Sequence, residues 1–178
     1  MTWFSADVEA NGPVPGLYSM TSFSLVAIRH GLTDTFYAEL RPLPGAGCDP
    51  EALAVAGMTM EYLEQQGEDP NEAMHRCAEW LKETSVNHPV FISDNNGFDF
   101  PFLAYYFALT GLENPFGHSS RRIGDLYSGL KGDARQATKW KSLRTEKHTH
   151  NALDDAKGNA GAILAIRELG LYVPGVDS

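Results

Sequence analysis

Carboxylates at the ends of predicted elements, far apart along the chain, constrain this sequence more than any other feature. Asp7 and Glu9 close the alternating segment Thr2 to Glu9. Asp99 opens a helical pattern just after Val90-Phe91-Ile92-Ser93. Asp154 and Asp155 head the last apolar helix, directly after His150-Asn151. A strand has a period of two, so Asp7 and Glu9 leave the same face. Of the adjacent pair, Asp154 is explained by the preference of an anion for a helix N-terminus. Asp155 is different. It shares a helix surface with Asn159, Ala162 and Ile166, a largely uncharged stripe that faces the domain. A carboxylate there needs a partner or a metal, because burying an unpaired charge is expensive.

The spacing between these points predicts an α/β layered domain. Thr2–Glu9, Thr21–Arg29 and Thr33–Leu40 read as three strands of an antiparallel meander, the last two joined by a turn at His30-Gly31-Leu32. Asn11 to Gly16 and Arg41 to Pro50 are rich in Pro and Gly and read as loops. Helices are predicted over Pro50–Ala56, Thr59–Gln65, Asn71–Val86, Phe98–Leu109, Gly124–Leu130 and Ala152–Leu169, with Val90–Ser93 as a fourth strand. Strands first, then helices alternating with strand, point to a mixed sheet covered by helices. At 178 residues and 43% hydrophobic content, residues 1–178 are expected to form one domain with a real core.

No apolar run is long enough to span a bilayer. The strand pattern begins at Thr2 and leaves no room for a secretion signal, so a cytoplasmic location and no membrane partner are expected. Cys48 and Cys77 lie in unrelated contexts and support neither a metal motif nor a disulfide framework.

Four carboxylates and one histidine, Asp7, Glu9, Asp99, Asp155 and His150, have the composition of a two-metal phosphodiesterase site. Two divalent cations can stabilise charge on the attacking and the leaving oxygen. Magnesium-like ions take oxygen ligands, and a neutral histidine can take a proton from water. The net charge of −9 argues against a nucleic-acid partner until its distribution is considered. Between Arg121 and Lys147 lie eight basic residues against three acidic ones, a local positive segment just before His150.

The ordered set D-x-E (Asp7, Glu9), N-x-x-x-D (Asn95, Asp99) and H-x-x-x-x-D (His150, Asp155) resembles the DEDDh 3′→5′ exonucleases, the DnaQ-like group that includes proofreading subunits, RNase T and oligoribonuclease. The resemblance implies an RNase H-like fold with a five-stranded mixed sheet flanked by helices. The missing fifth strand is expected near His118–Ile123. It also implies that Asp7, Glu9, Asp99 and Asp155 hold two Mg²⁺ or Mn²⁺ ions, that His150 is the general base, and that 5′-mononucleotides leave from the 3′ ends of single-stranded RNA or DNA, with short RNA favoured slightly. Several members are homodimers, and a loop bearing Trp140 would suit such an interface.

Expected substrate contacts are Asn11, Tyr18 and Met20 after the first motif, Asn95, Phe98 and Phe100 around the second, Arg121 and Arg122 for phosphates, and Trp140 for stacking. Phe98, Phe100 and Trp140 are equally suited to core packing. Asp94 reads as an ordinary loop acid, and His118 and His148 are set aside as ligands because the oxygen donors suffice. Two other functions fit the same residues: a silent nucleic-acid-binding module, or a metallohydrolase of small phosphoesters.

Overall fold

The computed structural model describes residues 1–177. Five strands form one mixed sheet: β1 (Thr2–Ala10), β2 (Met20–Ala27), β3 (Thr35–Glu39), β4 (Pro89–Ser93) and β5 (Ser120–Arg122). Their order is β3-β2-β1-β4-β5, with β1, β2 and β3 antiparallel and β4 and β5 parallel to β1. The fifth strand lies inside the His118–Ile123 segment, as expected. Six helices accompany the sheet: α1 (Pro50–Val55), α2 (Met60–Gln66), α3 (Pro70–Thr84), α4 (Asn96–Leu109), α5 (Ile123–Lys131) and α6 (Ala152–Arg167). Two short 3₁₀ turns, Ala134–Gln136 and Lys139–Leu143, give shape to the basic segment.

The sheet separates two cores. On one face Phe4, Val8, Phe23, Phe36 and Phe91 meet Met74, Cys77 and Leu81 of α3 and Phe102, Tyr106 and Phe107 of α4. On the other, Trp3, Val26 and Ile92 meet Ile163 and Ile166 of α6, Tyr127 of α5 and Trp140. Covered on both faces, β2 is buried along its whole length.

The helix starts follow local chemistry. Asp49, Thr59, Asp69 and Asn151 cap α1, α2, α3 and α6 by accepting backbone N–H groups with their side chains. Helix α4 begins at Asn96, two residues before the sequence pattern suggests, and its cap residue Asn95 makes no side-chain bond. Asp99 remains within the first turn, as the shorter helix expected from sequence also has it. Alanines and glycines predominate on α6, with Ala152, Ala156, Gly158, Ala160 and Ala162 all buried. Small side chains let this helix lie close against β1 and β2.

Among the described residues, no helix is long and apolar enough to cross a membrane.

Candidate active site

The register of β1 determines where the acids go. Asp7 pairs with Ser24 and Glu9 with Ser22, so both carboxylates emerge on the α6 face at the C-terminal end of the strand. The ladder is irregular between Glu9 and Ala10, where β1 ends. Helix α6 starts over the same edge and delivers Asp155. Oxygens of Asp7, Glu9 and Asp155 lie within 4.8 Å of one another. Asp99, only 4% exposed, reaches the group from α4 and is its neighbour electrostatically.

Crowding acids at one buried edge favours the protonated forms of Asp7, Glu9 and Asp99. Burial, then the charges of Asp99, Glu9 and Asp155, hold Asp7 well above the ordinary aspartate range, and Arg144 opposes them. Burial, with Asp155 and Asp99, pushes Glu9 up to about 7. Burial likewise lifts Asp99 to about 7, against the lowering effect of the Ser93 hydroxyl and of the Val8 backbone. Carboxylates that share a site in this way are relieved by a cation, and hard oxygen donors in this number fit divalent ions of the magnesium class.

Asp155 is held from the other side. Its Oδ1 accepts the Thr149 N–H at 3.1 Å, its Oδ2 accepts the His150 N–H at 2.9 Å, and His148 Nδ1 lies 2.7 Å from Oδ2. Of the two adjacent aspartates, Asp155 is 1% exposed while Asp154 stays at the surface near the Thr149 hydroxyl. His150 has a left-handed backbone (φ 59°), and its exposed ring stands edge-on to His148 with centroids 4.2 Å apart. The residue carrying the motif's histidine thus grips the Asp155 carboxylate with its backbone and leaves its imidazole exposed beside His148. His148 belongs to this constellation although its sequence context gives no sign of it beyond the H-x-H spacing.

Arg144 is the second residue that the sequence does not reveal. Its side chain, 9% exposed, lies across the Trp140 ring, donates to Asn159 Oδ1 at 2.5 Å and faces Asp94 at 3.6 Å. Asp94 also takes Lys141 at 2.6 Å, and its backbone oxygen accepts from Arg122 at 3.1 Å. This loop acid is the knot that ties the basic segment to the turn before α4.

Several expected substrate contacts prove to be structural. Trp140 is fully buried under α6, so it has no face left for a base or for a second subunit. Asn11 is buried, with Oδ1 accepting the Ser19 N–H at 2.7 Å and Nδ2 near Met60 sulfur, which closes the loop after β1. Met20 is core, its amide donating to the Tyr106 hydroxyl at 2.9 Å. Arg122 is committed to Asp94 and Asp125, and Arg121, though exposed, lies over Trp3, four residues back along β1 from Asp7. Tyr18 is half-buried with its ring flat on Gly12, where a Cβ would come within 2.0 Å of it. Phe98 and Phe100 pack on Phe102 and Phe91 with part of each ring exposed. Asn95 is exposed and its side chain does not cap α4.

The chain is similar to known proteins in sequence and in fold. A protein described as "3′-5′ DNA exonuclease Cap18" from Escherichia coli is 32% identical over 172 residues, covering 93% of this chain and 91% of its own. The nuclease domain of 3′hExo, a DEDDh family member solved with rAMP, superimposes with a TM-score of 0.75 at 17% identity, over 95% of this chain and 92% of that one. E. coli Exonuclease I, solved with a dT13 oligonucleotide, gives 0.72 at 16% identity, over 93% of this chain and 41% of that one. These two establish the fold as that of the DEDDh exonucleases. Residues 7–167, which run from the first acid of the site to the end of α6, match the 3′-5′ exoribonuclease Rv2179c-like domain, and the chain is a 3′-5′ exonuclease of that family.

Proposed function

We propose that the chain removes 5′-mononucleotides one at a time from the 3′ end of single-stranded nucleic acid, with Asp7, Glu9, Asp99 and Asp155 holding two Mg²⁺ or Mn²⁺ ions. The observation that carries this reading is the convergence of Asp7, Glu9 and Asp155 oxygens within 4.8 Å, with the charge of the buried Asp99 acting on Asp7. Bound there, two cations stabilise the charge that develops on the attacking and leaving oxygens.

The chain's own residues do the rest. His150 takes the proton from the attacking water, for which its exposed, unbonded imidazole is suited. The water oxygen bonds to phosphorus, the bond to the 3′ oxygen breaks, and that oxygen takes a proton from solvent to become the new terminal hydroxyl. Because the His150 amide is bonded to Asp155, the base is carried by the same carboxylate that serves the metals. Asn95, Phe98 and Tyr18, none of them fully buried, would contact the terminal nucleotide.

For the sugar we favour RNA, in line with the exoribonuclease description of the family. The similarity to a protein named as a DNA exonuclease favours the second reading, DNA. Digestion of 5′-labelled RNA and DNA oligomers of matched sequence, with Mg²⁺, Mn²⁺ or EDTA, tests both. A ladder shortening from the 3′ end only when metal is present is the expected result, and the faster ladder names the sugar. Release of phosphate from mononucleotides without action on oligomers would replace this reading with a small phosphoesterase.

A further inference from the structure

Most cations near the site are already engaged. Arg121 lies over Trp3, Arg122 is bound to Asp94 and Asp125, Lys131 lies over Tyr127, Arg135 pairs with Asp133, and Lys141 and Arg144 converge on Asp94. Among the described residues from 121 to 157, Lys139, Lys147 and Lys157 have neither an ion pair nor an aromatic partner. Two of these three line one cavity. It has a volume of about 570 Å³, lies between the 145–149 segment and α6, and is completed by Thr145, Thr149, Glu146 and Asp154.

The location of this cavity gives it meaning. Thr149 is a wall residue, and its backbone N–H is bonded to Asp155, so the cavity is separated from the metal ligands by a single residue. The 144–146 segment can lie this close to α6 because Gly158 and Gly161 face it; a Cβ at Gly161 would meet the Thr145 hydroxyl at 3.2 Å. Lys157 is half-buried in this wall, and Glu146 and Asp154 pair with neither lysine. Two uncommitted ammonium groups and the Thr145 hydroxyl, in a lining shared with Glu146 and with an Asp154 that takes the Thr149 hydroxyl, suit a further phosphate of the chain on which the neighbouring site acts.

We propose that this cavity is a subsite for the phosphate backbone of the strand upstream of the scissile bond, with Lys147 and Lys157 as the cationic contacts. This rests on the exonuclease reading above. It is indifferent to the sugar, because the recognised group is common to RNA and DNA. Glu146, facing the same space, weakens the subsite and keeps the strand from being held too tightly to advance.

The test is fluorescence anisotropy with 5′-fluorescein-labelled dT12 and rU12 in Ca²⁺, across a salt series, for wild type, Lys147→Gln/Lys157→Gln and Glu146→Gln. The double lysine variant should bind roughly tenfold more weakly, and its slope of log affinity against log salt should be shallower by about 0.7 for each phosphate that is no longer neutralised. Glu146→Gln should bind more tightly. Turnover of a labelled dinucleotide, whose one phosphate is the scissile one, should be equal in all three. Unchanged affinity and slope in the lysine variant overturns the subsite, as does a wild type that binds neither oligomer. Equal loss of dinucleotide turnover places the lysines in the metal centre and also overturns it. Absence of dinucleotide and oligomer cleavage by wild type, with lysine-dependent binding intact, defeats the exonuclease reading and leaves the subsite standing.

Discussion

The acidic half of the site and the segment that carries its histidine are built on opposite plans. Asp7, Glu9, Asp99 and Asp155 ride on β1, α4 and α6, and burial together with neighbouring charges raises the pKa of the first three. The 139–150 segment contains one 3₁₀ turn, a left-handed residue at His150, and largely exposed side chains except where Trp140 and Arg144 turn inward. The first half is fixed by regular structure and is electrostatically strained without a cation. The second is held by the buried Trp140, by Arg144 on Asn159, by the Asp94 knot and by the Asp155 carboxylate. The function proposed above asks for fixed geometry on one side and an accessible base on the other, and the two plans would supply them separately.

The strongest way to break the comparison is to remove one member from each half. Asp7→Asn should reduce turnover by on the order of 10⁴-fold or more, because the loss falls on the ions that stabilise the reacting oxygens. Metal binding, read by calorimetry, should weaken with it. His150→Ala should reduce turnover by about 10²–10⁴-fold, the usual contribution of a positioned general base, while the metal isotherm stays as in wild type. His148→Ala should cost less than His150→Ala in the same assay. A His150→Ala protein that also loses metal would mean that the histidine segment supports the carboxylates rather than the water.

These two halves also differ in how far they can be read from sequence. Asp7 and Glu9 follow from a period of two, Asp155 from an apolar stripe on a helix, and Asp99 from its place in an ordered motif. Regular elements project their side chains predictably. Even the short strand at Ser120–Arg122 follows from the fold that the motifs imply. The 121–147 segment is legible only as charge. Whether Arg122, Lys141 or Arg144 meets a phosphate or Asp94 depends on tertiary contacts across 28, 47 and 50 residues, and nothing local encodes them. Trp140 misleads for the same reason, since a residue flanked by Lys139 and Lys141 looks exposed until the chain folds over it, and Asn11, in a loop of breakers, is buried only because its side chain closes that loop on Ser19.

A milder perturbation separates structural from free cations. Arg144→Met leaves Asn159 without its buried partner and Asp94 with Lys141 alone, and removing one member of a largely buried pair typically costs several kcal/mol. Asp94 is 22% exposed, so the expected loss is lower, about 2–3 kcal/mol in urea unfolding. Lys139→Met, at an exposed residue with no ion pair, should change stability by no more than about 0.5 kcal/mol. Equal effects would mean that the Asp94 knot does not brace the segment.

The smallest effect tests the electrostatic strain itself. Glu9 has its folded pKa raised from 4.5 to about 7, so the folded protein binds the proton more tightly than the unfolded chain. Stability of the metal-free protein should therefore be greatest below the unfolded value and fall as pH rises from 4.5 toward 7, levelling off above it. Asp99 acts with the same sign over a window from 3.8 to about 7. Other groups also titrate in this range, so the informative quantity is the difference between wild type and Glu9→Gln in EDTA. The amide cannot ionise, and it should flatten the decline by about 1–2 kcal/mol between pH 5 and 8, a figure reduced for the partial exposure of Glu9. Adding Mg²⁺ at pH 8 should recover stability in wild type and much less in the variant. The carboxylates are then strained only because they are arranged for an ion, and the stability they forgo without it returns as binding free energy when it enters.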